Sequence, residues 1–427
     1  MLSLQIENLV KVGRRHGFSE ARFRSFCERK QPLVQKVFSL KARPGYAFLS
    51  LPDSVANLKK IKKYVKEQEK YGWKNIVVLG IGGSALGAIA IRDALKSEFS
   101  KGPKLYVLDN IDPAYTSELL KNLNLSKTLF VVISKSGTTT EPMIQYGLVK
   151  EMLVKKFAKN YQKHLVFVTD PKGGLLRKIA KEEGITAFDI PPKIGGRFSV
   201  LTNVGLLPCA LAGIDVGSLL KGAREMREAI KRGKGVGNPA LALSAAQFLL
   251  DKKKGKSMTV LMPYSNYLFR MGDWYRQLLA ESIGKNRGAG PTPINALGTT
   301  DQHSQLQLYN DGPNNKFFIF MRLLRHAADP KAGNMLPEEI GFLNGKRFSQ
   351  VMDAAYQGTA QALTKRGHPN VTIEVPKVDA RSIGALFMLF EFQIALLGLL
   401  YKVDAFNQPG VEHSKQITKQ ILKGETK

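Results

Sequence analysis

The sequence predicts an α/β protein built from two units with mainly parallel sheets. Three observations carry this expectation. Apolar β-branched runs alternate with helical segments twice along the chain, a Gly/Lys-rich stretch separates the two series, and 427 residues exceed the roughly 100 to 200 of a usual domain. With 44% hydrophobic residues, 9% aromatics and no low-complexity tract, the chain can bury enough apolar surface to offset its conformational entropy. A peptide hormone and a lone binding module are excluded, and disorder is not the default.

Residues 1–70 read as a helical, polar lead-in whose segments are broken at Pro32, Pro44 and Pro52. The first unit, 71–230, opens with 75–79 (NIVVL), an apolar run that ends in a glycine cluster, followed by helical periodicity over 84–96. Runs at 104–108 (KLYVL), 129–133 (LFVVI) and 165–168 (LVFV) repeat the alternation, which implies βαβ units and a parallel sheet. A linker at 231–238 (KRGKGVGN) leads into the second unit, 239–404, with strands expected at 258–262, 317–321 and 371–375 and helices at 268–283 and 350–365. The apolar helix 383–403 (IGALFMLFEFQIALLGLLYKV) follows. It is long enough to cross a bilayer, but Glu391 and Gln393 interrupt its centre, and a carboxylate there costs about 3 kcal/mol in lipid. The expectation is a buried helix in a soluble core that satisfies both groups, with no membrane partner.

Two cysteines, Cys27 and Cys209, cannot build a disulfide framework, and the first 16 residues give no continuous signal-peptide core, so a cytoplasmic location is expected. The net charge of +29 would steer anions and makes nucleic acid the first suspect. Its distribution argues otherwise: the densest stretches, 59–74 and 252–256, contain or adjoin acids, as on a solvated lysine-rich surface, and no nucleic-acid partner is expected. No His/Cys/Asp/Glu cluster has metal-ligand spacing, and Glu412 with His413 is an isolated pair, so neither a metal nor another cofactor is expected.

Four segments carry candidate chemistry. The loop 80–85 (GIGGSA) joins a strand to a helix and fits a dinucleotide fingerprint, with Asp109 where a ribose-binding acid would sit. Any strand-to-helix turn that brings backbone amides to an anion or a sugar, or that packs helix tightly on sheet, needs the same glycines. The loop 134–142 (SKSGTTTEP) crowds five hydroxyls and a glycine at a helix N-terminus, which suits a phosphate monoester, whereas a cap would need only one hydroxyl. Arg197 follows Gly195 and Gly196 outside any helical pattern, where it would meet developing negative charge or serve a turn salt bridge. Gln277 and Glu281 are spaced i, i+4 and share one helix face; His303 follows a Gly/Thr-rich loop.

Read in order, GIGGSALG, SKSGTTTE, IGGRFSVLT, QLLAES, GTTDQHSQLQL and FNQPGVEHSKQ resemble the glucose-6-phosphate isomerase family, and the likeness runs from about residue 45 to residue 422. The compact length and Gly137 resemble its shorter bacterial form. The resemblance implies two sugar-isomerase-type α/β/α sandwich domains with helical N- and C-terminal extensions, the last, 405–427, carrying a catalytic lysine. It implies Glu281 as the base with Gln277 beside it, His303 and Lys415 as ring-opening residues, Gln408 seven residues before that lysine, and Arg197 with Gly196 beside the enediolate. Gly83 and Ser84 fall where the family contacts sugar, Ser134, Lys135, Ser136 and Thr139 where it holds phosphate, and Glu141 where it supports the histidine. A homodimer in which His303 serves the partner's site is also implied.

Such residues suit an aldose–ketose isomerisation of glucose 6-phosphate and fructose 6-phosphate, a reaction of glycolysis and gluconeogenesis that needs no redox group. A carboxylate whose pKa partial burial raises toward neutrality moves the proton between C2 and C1. An arginine offsets the enediolate charge, and the phosphate clamp binds away from the reacting carbons. Two alternatives stand beside it: a nicotinamide dehydrogenase, favoured by 80–85 and Asp109, and a sugar-phosphate-binding regulator contacting nucleic acid, favoured by the charge. Both leave Glu281, His303 and Lys415 without a joint role.

Overall fold

The computed structural model describes residues 1–286 and 288–425. Ten strands form two sheets: β1 (Ser3–Gln5), β2 (Asn75–Leu79), β3 (Lys104–Leu108), β4 (Thr128–Ile133), β5 (Leu165–Thr169), β6 (Ala187–Asp189), β7 (Met258–Pro263), β8 (Thr292–Asn295), β9 (Lys316–Leu323) and β10 (Asn370–Val375). The first sheet has the order β3-β2-β4-β5-β6 and is parallel throughout. In the second, ordered β1-β10-β9-β7-β8, only β1 runs antiparallel. The expected α/β class and mainly parallel sheets are therefore present.

Alternation along each strand sends side chains to both faces of a sheet. Ile76 and Val78 of β2 join the large inner cluster, whereas Val77 and Leu79 pack in an outer cluster with Tyr146 and Leu176. Strand β9 does the same, with Phe317 and Ile319 inward and Phe318 and Phe320 outward. The inner cluster is common to both sheets, so the two series share one continuous core.

Helix Ala380–Tyr401 lies in that core, packed against helices Val216–Arg232, Pro239–Lys254 and Phe269–Ile283. It is long and apolar enough to cross a membrane, yet 89% of its most apolar window is buried inside the protein. Gln393 Nε2 donates to Gln247 Oε1 at 2.7 Å. The expectation that the core satisfies both polar groups fails at Glu391, whose two carboxyl oxygens have no partner among the described residues, and in part at Gln393, whose Oε1 has none. Burial raises the Glu391 pKa well above the usual carboxylate range.

The N-terminal segment is more than a polar lead-in. Helix Glu20–Ser39 passes through Pro32 without breaking, because Phe23, Cys27, Val34 and Val37 form one buried stripe on both sides of it. That burial outweighs the roughly 3 kcal/mol that an interior proline costs. Strand β1 pairs with β10, so this segment also edges the second sheet. In helix Val55–Gln68, Ile61 and Tyr64 are buried while Lys59, Lys60, Lys62, Lys63 and Lys66 are exposed, the solvated face expected of the lysine-rich stretch.

Candidate active site

The carboxyl ends of parallel strands gather loops on one side of a sheet. Leu79 of β2 is in register with Val132 of β4, so the glycine loop after β2 and the hydroxyl loop after β4 leave the sheet side by side. Gly83 allows the first loop to close against another: a Cβ there would collide with the Gly196 carbonyl and lie 2.7 Å from the Arg197 nitrogen. No other residue fits that approach. Ser84 ends the short turn Gly82–Ser84. Gln277, Gly196 and Arg197 occupy the space that side chains at positions 82 and 83 would need, so these glycines serve the close packing of neighbouring loops. Asp109 is exposed just beyond β3.

Arg197 is 3% exposed and makes five hydrogen bonds. Its Nε donates to Ser282 Oγ at 2.7 Å, Nη1 to Glu281 Oε2 at 3.1 Å and to Gln408 Oε1 at 3.0 Å, and Nη2 to the Ala405 and Asn407 carbonyls at 2.6 and 2.9 Å. Burial works against its charge, and Glu281 is the main opposing influence. Glu281 Oε1 accepts from Gln277 Nε2 at 2.9 Å, as the i, i+4 spacing on helix Phe269–Ile283 permits. Each carboxylate oxygen thus has one fixed donor, and the side chain remains 31% exposed, open to a ligand. The structure brings together Gly83, Gly196, Arg197, Gln277, Glu281 and Gln408.

In the hydroxyl loop Ser134 Oγ lies 3.0 Å from Thr139 Oγ1 and accepts from the Gly137 amide at 3.1 Å, while Ser136 Oγ accepts from the Thr138 amide at 3.2 Å. Gly137 has φ +69° and packs against the Leu176 backbone, which only glycine tolerates. Thr139 is the N-cap of helix Thr140–Phe157 but its side chain caps nothing, so the first amides of that helix remain free for an anion. Glu141 is half-buried in the first turn. Lys135 points elsewhere: its Nζ donates to the Pro192 carbonyl at 2.7 Å and the Ile194 carbonyl at 3.2 Å, tying this loop to the segment that leads to Arg197.

Two predicted residues stand apart. His303 is exposed at the end of the turn Thr300–Gln302. Lys415 lies on helix Glu412–Leu422, which has no buried residue, and its Nζ pairs with Glu412 at 2.9 Å. Sequence reasoning missed Ser282 and Lys285. Lys285 Nζ donates to the carbonyls of Glu281 and Asn407, and its i, i+4 relation to Glu281 was the available signal. Among the described residues no group of three or more His, Cys, Asp or Glu side chains has an arrangement able to hold a metal ion.

Comparison with known proteins gives a consistent result. Residues 50–427 match the family model described as phosphoglucose isomerase. A glucose-6-phosphate isomerase of Carboxydothermus hydrogenoformans is 44% identical over 403 residues, covering 90% of this chain and 86% of that protein. A probable glucose-6-phosphate isomerase of Methanococcus maripaludis is 36% identical, covering 99% of this chain and 95% of its own length. Among solved structures, a hypothetical protein of Thermus thermophilus superposes with a TM-score of 0.89 at 32% identity, covering 99% of this chain and 100% of that one.

Proposed function

The chain belongs to the phosphoglucose isomerase family, and we propose that it interconverts glucose 6-phosphate and fructose 6-phosphate with Glu281 as the proton carrier, a step of glycolysis and gluconeogenesis. The observation that carries the residue assignment is the Glu281 carboxylate, fixed at one oxygen by Gln277 and at the other by the buried Arg197, yet open to solvent. Ring opening breaks the C1–O5 bond as the O1 hydroxyl loses a proton and O5 gains one. Glu281 then takes the C2 proton, and the electron pair moves through the C1–C2 bond onto O1. Arg197 offsets the charge of the resulting enediolate. Return of the proton to C1, as the O2 proton passes to O1 and C2 becomes the carbonyl, completes the ketose.

The hydroxyl loop and the free amides of helix Thr140–Phe157 hold the phosphate, which supplies binding energy remote from the reacting carbons. Lys135 acts there through the backbone it fastens. His303 and Lys415 open the ring. The exposure of His303 in the single chain suits a homodimer in which it enters the partner's site, supported there by Glu141. Lys415 would join when helix Glu412–Leu422 folds onto the substrate. Buried free Cys27 and Cys209 suit a reducing cytoplasm.

A coupled assay of fructose 6-phosphate conversion to glucose 6-phosphate, with chelator present and no nucleotide added, tests the reading. Turnover supports it; folded protein that binds substrate without interconversion sinks it.

A further inference from the structure

Lys285 lies just beyond the carboxyl end of the helix that carries Glu281. Its ammonium group joins two separate elements: it donates to the Glu281 carbonyl on that helix and to the Asn407 carbonyl on the segment preceding helix Glu412–Leu422. The second acceptor is shared with Arg197, whose Nη2 reaches Asn407 O at 2.9 Å while Nη1 holds Gln408 Oε1 at 3.0 Å. Two cations converge on one carbonyl. A lysine that only complemented a helix C-terminus would do so from solvent, without desolvation or a neighbouring guanidinium.

We propose that Lys285 is a positioning residue of the isomerisation: by tying the segment 405–408 to the end of the Glu281 helix, it keeps Gln408 and Arg197 in the geometry that the enediolate requires. It acts through Arg197 and Gln408 and does not touch the reacting atoms. The inference rests on the assignment of Glu281 and Arg197 made above.

The electrostatics separate this role from a structural one. Burial first, then Arg197, bring the Lys285 pKa down to about 8, against the opposing pull of Asp404 on the segment and Glu281 on the helix. A lysine whose folded-state pKa lies below its unfolded value binds fewer protons when folded, so between that pKa of about 8 and the ordinary lysine value stability rises with pH. At neutral pH its charge opposes folding. Removing the charge is therefore expected to impair catalysis without lowering thermal stability.

The test compares wild type, Lys285→Met and Lys285→Arg by kcat and KM from about pH 6 to about pH 10, with thermal unfolding of each. Lys285→Met is expected to lose about ten- to a hundredfold in kcat, with a smaller change in KM and an undiminished Tm. The wild-type alkaline limb near pH 8 should vanish in that variant. Lys285→Arg, charged across the range, should restore most of the lost kcat and move the limb upward. Wild-type kcat in Lys285→Met, equal losses in both variants, or a Tm that falls in step with activity would overturn the proposal. Failure of the underlying assignment looks different: wild type inactive from the outset, or Glu281→Gln turning over normally.

Discussion

The proposed proton-transfer centre and the proposed ring-opening residues are organised in opposite ways. Glu281, Gln277, Arg197 and Gln408 form a closed hydrogen-bonded set within one chain, and Arg197 alone draws on the Glu281 helix, the Gly196 turn and the segment 405–408. His303 and Lys415 are exposed, and the Lys415 ammonium pairs with Glu412 on its own helix. The difference teaches where each requirement is met. Stabilising an enediolate needs positive charge fixed before negative charge develops, which a buried arginine held by five acceptors supplies. Under the proposed assignment, ring opening would draw on residues that reach the substrate only when an element closes or a second subunit supplies them.

Breaking the first region should cost most. Glu281→Gln preserves size and hydrogen bonding but removes proton affinity, and kcat is expected to fall by about a thousandfold or more while substrate binding survives, as steady-state kinetics and equilibrium binding will measure. Breaking the second should cost less, since spontaneous ring opening still supplies open-chain sugar: His303→Ala and Lys415→Ala are each expected to lose about ten- to a hundredfold. The proposed trans role of His303 sharpens the comparison. Reassorted dimers of Glu281→Gln and His303→Ala subunits should recover about a quarter of wild-type sites, because half the dimers are hybrids with one intact site of two. A mixture no more active than its parents, once reassortment is verified, places His303 in its own chain's site or outside catalysis.

The phosphate loop lies between these extremes. Ser134→Ala with Thr139→Ala is expected to weaken the competitive binding of inorganic phosphate and to raise KM by about tenfold, with a smaller change in kcat. Unchanged phosphate affinity would leave the loop a structural turn.

A second glutamate provides the smallest effect and a contrast of environment. Glu391 has no hydrogen-bond partner where Glu281 has two. Its raised folded-state pKa means that the stability it permits is full below the unfolded carboxyl value and is lost as pH rises toward the folded one. Glu391→Met should therefore stabilise the protein at neutral pH by about 1–3 kcal/mol and flatten the pH dependence of unfolding, with activity unchanged.

The sequence made the long parallel strands legible, because β-branched runs are a local signal, and i, i+4 spacing set Gln277 beside Glu281, where the structure has them hydrogen-bonded. It concealed β1, β6 and β8. Strands β1 and β6 are three residues long, and β8 contains Pro293, which only an edge strand such as this one accepts. Pro32 misled for a related reason: the buried stripe that overrides it is set by tertiary packing. The packing role of the glycine turn was hidden too, since the same glycines serve a pyrophosphate or a neighbouring loop, and the contact of Gly83 with Gly196 is tertiary. Lys285 carried its signal in plain spacing, but its second acceptor, Asn407, is 122 residues away.

The most direct test of the account is solvent exchange of the transferred proton. Fructose 6-phosphate incubated in deuterated buffer with wild-type enzyme should gain deuterium at C1 as proton transfer at Glu281 equilibrates with solvent, whereas Glu281→Gln should reduce that exchange to the buffer background even at substrate saturation. Exchange by Glu281→Gln near the wild-type rate would contradict the account, because another residue would then be the base.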